Sequence, residues 1–289
     1  MRFLPTGCAR LLPMLVLLAA LGGCASDGFD SATTGAPESE DVLYATSPAN
    51  IESLTNVVQR NPDDPQVYNM RGTVFGKAGR YDEALTDFNK AISIDPGYAQ
   101  AYANRGLVYR QTGKLEPALA DYNKALSIDA GYANAYLGRG MVYRARNKPA
   151  AALADFNKAI SIRPDNAQAY YNRGLLYQAQ RQHNYAIDDF TTAIGLSTQQ
   201  AEPYIARGLS YMAVKKYKGA ADDLDQAVTI EPQNVQAWMS RGLAYERLGN
   251  KEKAAGSYAR AMNIDDNYFP AKAGFRRVGG QLGQAYQTF

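Results

Sequence analysis

Arginine and aspartate recur in this chain at a fixed separation of sixteen residues. Arg71, Arg105, Arg139, Arg173 and Arg207 are followed by Asp87, Asp121, Asp155, Asp189 and Asp223, and a sixth arginine, Arg241, is followed by Ser257. Two chemistries suit such a series. A guanidinium is a planar fork that grips a carboxylate through two parallel hydrogen bonds, so each pair could join two neighbouring helices. Six arginines at a constant interval could instead form a ladder for an anionic ligand. Matched signs in five of six favour internal pairs, since a partly buried arginine without a partner is costly.

Other reactive side chains are few. His183 is the only histidine, and the two cysteines, Cys8 and Cys24, both lie in the first 24 residues. A catalytic triad or a histidine metal site would have to be built on His183 alone, and no nucleophile with a base, nor any pair of carboxylates, stands out. The sequence therefore predicts no catalytic residue, no metal and no cofactor. The net charge of +3 would lose two units with Arg2 and Arg10. Such a balance is no case for nucleic acid, which needs a clustered basic face.

Arg2 and Arg10 flank an apolar run, Leu11 to Leu21, too short to span a bilayer and laid out like a secretory signal. It ends in Leu21-Gly22-Gly23-Cys24. This resembles a bacterial lipobox, which implies cleavage before Cys24, removal of residues 1–23 and lipidation of the Cys24 sulfur. Each buried acyl methylene is worth about 0.8 kcal/mol, so several chains make a stable anchor. The next residue is Ala25, not the aspartate that marks inner-membrane retention in enteric lipoproteins. The resemblance thus implies the outer membrane, facing the periplasm. Residues 24–46 are rich in Ser, Thr, Gly and Asp and read as a lipidated, flexible tether.

The arginine spacing sits inside a longer period. Residues 65–268 form six blocks of 34 without insertion or deletion (65–98, 99–132, 133–166, 167–200, 201–234 and 235–268). An aromatic fills the fourth place (Tyr68, Tyr102, Tyr136, Tyr170, Tyr204, Trp238), Gly the eighth (Gly72, Gly106, Gly140, Gly174, Gly208, Gly242) and an aromatic the eleventh (Phe75, Tyr109, Tyr143, Tyr177, Tyr211, Tyr245). A fixed period of this length marks an array of stacked helices. Each block reads as a hairpin, with helix A from about Gln66 to Ala78 in the first block and helix B from about Asp82 to Ile94. Gly79, Gly113 and Gly249 suit a left-handed cap at the turn. Gly at the eighth place and Ala at the twentieth remove bulk where the helices cross, so Phe88, Tyr122, Phe156, Phe190, Leu224 and Tyr258 can fill the space. All the aromatic columns are expected in the core. Pro96, Pro164 and Pro232 stop helix B; Ala130, Thr198 and Asp266 replace proline in the other blocks, whose ends are expected to fray.

This co-occurring pattern resembles the tetratricopeptide repeat over about 70% of the chain. The resemblance implies an all-α, right-handed superhelical solenoid of six hairpins between capping helices. Residues 47–64 fit the N-terminal cap: Ser47-Pro48 starts a helix, and Ile51, Leu54 and Val58 follow at helical spacing. Residues 269–289 fit a C-terminal cap and tail, with a helix over Pro270–Val278, Gly279-Gly280 ending it, and Tyr286 and Phe289 beyond.

In the family, helix A lines a concave groove with its second, fifth, sixth, ninth, twelfth and thirteenth places. Carried onto this sequence, the second place offers amides at Gln66, Gln100, Asn134, Gln168 and Gln236, with Glu202 the exception, and Asn104 and Asn172 extend the row at the sixth. Amides donate to and accept from a peptide backbone, although they equally suit solvated helix starts. The fifth place turns apolar through Leu137, Tyr171, Ile205 and Met239. The ninth adds Leu107, Met141, Leu175, Leu209 and Leu243, expected rather between neighbouring A helices. Lys77, Arg110 and Arg144 make the early groove basic. The lysine-rich carboxylate clamp of chaperone-binding relatives is not reproduced, because Asn69 and Thr73 occupy its first positions.

The expectation is a non-catalytic adaptor, lipid-anchored at Cys24, that binds periplasmic or envelope proteins or an extended peptide in its groove, with cell-wall or envelope homeostasis as its setting. A dedicated pilotin-like or outer-membrane assembly factor is the alternative within the same class, and an envelope enzyme the alternative outside it. A homodimer through the groove or a cap is compatible with the sequence.

Overall fold

The computed structural model describes residues 45–281, 283 and 286. The signal sequence, Cys24, most of the tether and the chain end at Phe289 lie outside the described residues.

Fourteen helices and no strand make up the described residues. The first, α1, is Pro48–Arg60. Six hairpins follow: α2 Pro65–Lys77 with α3 Tyr81–Ile94, α4 Ala99–Gln111 with α5 Leu115–Ile128, and α6 Ala133–Ala145 with α7 Pro149–Ile162. Then come α8 Ala167–Ala179 with α9 His183–Leu196, α10 Ala201–Ala213 with α11 Tyr217–Ile230, and α12 Val235–Arg247 with α13 Lys251–Ile264. The last helix, α14, is Phe269–Arg277. Each helix packs on its hairpin partner and on the next hairpin, giving a tetratricopeptide-type solenoid.

The local chemistry repeats as faithfully as the packing. Ser47 Oγ accepts from the Asn50 amide and Asp64 from the Gln66 amide, each ahead of a proline in the first turn. Where helix A gives way to helix B, the amide of the sixteenth place donates to the carbonyl of the eleventh: Arg80 to Phe75, Lys114 to Tyr109 and Lys148 to Tyr143, all at 2.8 Å. This Schellman closure requires a left-handed residue between them. Gly79, Gly113 and Gly249 provide it, but Asn147, Arg181 and Lys215 adopt the same conformation at φ 53, 59 and 61°. For Arg181 and Lys215 that conformation costs roughly 1–2 kcal/mol each. The proline-free blocks keep their B helices the same length as the others, ending at Ile128, Leu196 and Ile264. Asp129 and Asp265 fold two of those turns by accepting from the amides of Gly131 and Asn267.

Phe88, Phe156, Phe190, Leu224 and Tyr258 are fully buried and Tyr122 nearly so. The eighth-place glycines touch them so closely that a Cβ on Gly174 would sit 2.6 Å from Phe190, and one on Gly242 2.5 Å from Tyr258. The fourth and eleventh columns correct the expectation of a uniform aromatic core. Phe75, Trp238 and Tyr245 are buried, but the tyrosines of the middle blocks are half-exposed. Their rings flank the seventh-place arginines instead: Arg105 lies 5.5 Å from the Tyr102 ring and 6.0 Å from that of Tyr109.

Those arginines form a continuous internal ladder. Arg105 donates from Nε and Nη2 to both oxygens of Asp121, each at 2.7 Å, and from Nη1 to Asn89 of the preceding block at 2.6 Å. Arg139 and Arg173 repeat this with Asn123 and Asn157, and Arg207 with Thr191. Every such arginine therefore joins three helices. Its donors are used within the fold, which assigns the column to structure rather than to an anionic ligand. Arg71 reaches back to Thr55 of α1, so α1 stands as the B helix of an incomplete block. At the other end α14 stands as the A helix of another, closed by the Gly280 amide on the Phe275 carbonyl.

Candidate protein-binding groove

Successive A helices touch one another along the array, whereas B helices meet chiefly their own A helix and the next. The A helices therefore line the inner face. Between α4, α6 and α8 this face opens into a hollow of about 410 Å³, lined by Arg110, Leu115, Met141, Arg144, Ala145, Leu175 and Ala179. Met141 and Leu175 form an apolar floor from the ninth place, and Arg110 and Arg144 supply guanidiniums from the twelfth. Such a surface can take an apolar side chain and pair with carboxylates beside it.

The structure redistributes the candidate residues. Leu137 and Ile205 are buried in the hydrophobic clusters that A and B helices share and offer little open surface. This corrects their place in the strip. The ninth-place residues Met141 and Leu175, expected between helices, line the hollow instead. Tyr171 and Met239 stay half-exposed. The Tyr171 ring packs 5.8 Å from that of Phe190, and burial pushes its phenol up to about 12.

The amide row divides in the same way. Gln66 and Gln236 are exposed, while Gln100, Asn134 and Gln168 are half-buried. Gln100 accepts from the Tyr98 hydroxyl at 3.2 Å, and Tyr132 pairs with Asn134 while burial raises its phenol to about 12. Asn104 donates to Asn69 at 3.0 Å and to Thr73 at 3.3 Å. Asn172 is 1% exposed and donates to the Gln168 carbonyl, so it too is removed from the groove row. Polar groups at these places knit neighbouring A helices, because a buried amide must find partners. The sequence reading missed Leu115, which starts a B helix but reaches the hollow. Its position directly after the A–B turn is the signal that could have found it.

No group of histidine, cysteine or carboxylates fit to hold a metal occurs among the described residues. None of the helices described is long and apolar enough to cross a membrane.

A profile described as TPR repeat matches residues 72–113, 106–144 and 140–181, and tetratricopeptide-repeat profiles match 167–200 and 205–268. No curated protein matches the chain by sequence. Among solved structures, one described as the functional characterization of Pseudomonas aeruginosa pilF is 18% identical with a TM-score of 0.68, over 76% of this chain and 99% of that one. PilW, described as a widely conserved type IV pilus biogenesis factor, is 19% identical with a TM-score of 0.64, over 74% and 97%. The APC/C hetero-tetramer Cut9-Hcn1 is 17% identical with a TM-score of 0.69 over 82% of this chain, which spans about half the length of the chain it matches. At these identities the likeness is one of fold. With successive profiles spanning most of its length and the same solenoid in its neighbours, the chain belongs to the tetratricopeptide-repeat proteins.

Proposed function

We propose that this chain is a non-catalytic scaffold of the bacterial envelope, lipid-anchored at Cys24, that holds a periplasmic protein against the inner face of its A helices. Proteins of this repeat family serve as protein-interaction scaffolds. The observation that carries the reading is the hollow on α4, α6 and α8, where apolar Met141 and Leu175 lie beside the guanidinium-bearing Arg110 and Arg144 on the inner face. The anchor rests on the sequence around Cys24, and the outer-membrane location on Ala25 after it.

Two measurements test this. Palmitate labelling is expected in the native chain and absent in Cys24→Ala; label persisting in that variant removes the anchor. Met141→Asp with Leu175→Asp is expected to reduce recovery of the cross-linked partner while helicity and melting stay unchanged. Full recovery with that double variant would place the partner elsewhere.

A further inference from the structure

The two single helices that close the array are held in very different ways. In the full blocks the twentieth, twenty-fourth and twenty-seventh places of helix B are buried, as Ala84, Phe88 and Ala91 are in α3. The same places of α1 hold Asn50, Leu54 and Val57, all half-buried, and no A helix precedes them among the described residues. Val58 is the only buried residue of α1, whereas every other B helix buries at least four.

The polar links follow the same order. Arg105 and Arg139 bind the helix before them through Asn89 and Asn123 at 2.6 and 2.7 Å, and Arg207 through Thr191 at 2.9 Å. Arg71 reaches Thr55 of α1 only at 3.3 Å. Neither Glu52 nor Arg60, the charged residues of α1, forms an ion pair among the described residues. At the other end, α14 buries Phe275 and is clamped to Glu246 through two nitrogens of Arg277.

The first hairpin does not need α1 to begin. Asp64 accepts from the Gln66 amide at 2.8 Å and Pro65 fills the first turn, so α2 carries its own N-terminal cap. In a stacked array each unit leans only on its neighbours, and an end element with little burial opens without the rest.

We propose that α1 is a releasable strap between the Cys24 anchor and the groove. It undocks as a unit while the six hairpins and α14 stay folded, and residues 47–64 then join the chain that runs from the anchor to the first block. A helix of 13 residues is about 20 Å long, and the same stretch extended reaches about 45 Å, so undocking changes how far the groove can stand from the membrane. That consequence rests on the anchor reading; the opening itself does not.

Native-state hydrogen exchange of the full chain tests the strap. The α1 amides are expected to exchange at least about tenfold faster than those of α3, α5 and α14, through an opening that low urea leaves nearly unchanged. Thr55→Asn places at this step the residue type of Asn89 and Asn123, and is expected to slow α1 exchange severalfold. Val58→Asp is expected to bring α1 to the rate of unfolded chain without changing α5 or α14. Exchange of α1 as slow as that of α14 would overturn the strap. So would Val58→Asp speeding every helix alike, since α1 would then open only with the whole array. Fast α1 exchange in a chain that takes no palmitate would strike the anchor and the change of reach with it; slow α1 exchange in a chain that takes palmitate would strike the strap alone.

Discussion

Arg241 takes its carboxylate from the helix before it rather than from its own hairpin. Its Nε lies 2.6 Å from Asp225 of α11, sixteen residues upstream, while its Nη1 donates to Ser257 of α13 at 2.8 Å. In the five earlier blocks the aspartate lies sixteen residues downstream, and the upstream position holds Asn89, Asn123, Asn157 or a threonine. The charge has changed helices, and the guanidinium, 2% exposed, remains paired. Tyr245 holds the relocated carboxylate from its other side at 2.8 Å.

This exchange makes a direct prediction. Asp225→Asn should destabilise the array by about 2–3 kcal/mol, because it leaves Arg241 buried without a counter-charge. Adding Ser257→Asp rebuilds the arrangement of the other blocks and should recover most of that loss. Urea unfolding of the two variants checks it. Arg139 and Asp155 should likewise show coupling in a double-mutant cycle, and its absence would remove the ladder as a source of stability.

A second spacing of sixteen predicts a steric dependence. Tyr122 is followed by Gly138 and Tyr258 by Gly274, and a Cβ on Gly138 would lie 2.4 Å from the Tyr122 ring. Where phenylalanine replaces the tyrosine, the matching place holds a larger residue, as Phe88 with Asn104 and Phe156 with Asn172. Gly138→Ala should therefore cost about 1–3 kcal/mol, and Tyr122→Phe in the same chain should restore part of it. Thermal melting of the single and double variants decides. A Gly138→Ala chain as stable as the native one would contradict the packing.

The pH dependence of the C-terminal cap follows from Glu246. Arg277 of α14 donates to it from Nε at 2.5 Å and from Nη2 at 2.7 Å, and the Tyr258 hydroxyl at 2.6 Å. These bonds, chiefly that of Arg277, hold its carboxyl below the ordinary value of 4.5. The folded pKa lies below the unfolded one, so the contribution is fully present above 4.5 and is lost as pH falls through the folded value. Glu246→Gln should lower protection of the α14 amides in hydrogen exchange near neutral pH and have a smaller effect well below pH 4.5. Equal effects at both would show that the carboxylate charge is not what docks α14.

The fold was legible because its causes are periodic. Gly72 and Phe88, or Arg105 and Asp121, recur at one interval, and repetition separates them from chance. The third member of each ladder step, such as Asn89 for Arg105, was also periodic but lies in the preceding block, where a reading confined to one hairpin does not look. The groove was less legible. Leu137 and Leu175 are both apolar and both on A helices; which is buried depends on the angle between neighbouring A helices, a property of the array that no single block encodes.

The central claim is that the inner face of the A helices holds a protein partner. Its most direct test places a photo-crosslinking amino acid at position 175, on the floor of the hollow, and at position 154, replacing the exposed Ala154 of α7. In intact cells, irradiation should give a discrete protein adduct from position 175, lost on adding Met141→Asp, and none from position 154. Adducts of equal yield from both positions, or an adduct at position 175 that survives Met141→Asp, would contradict it.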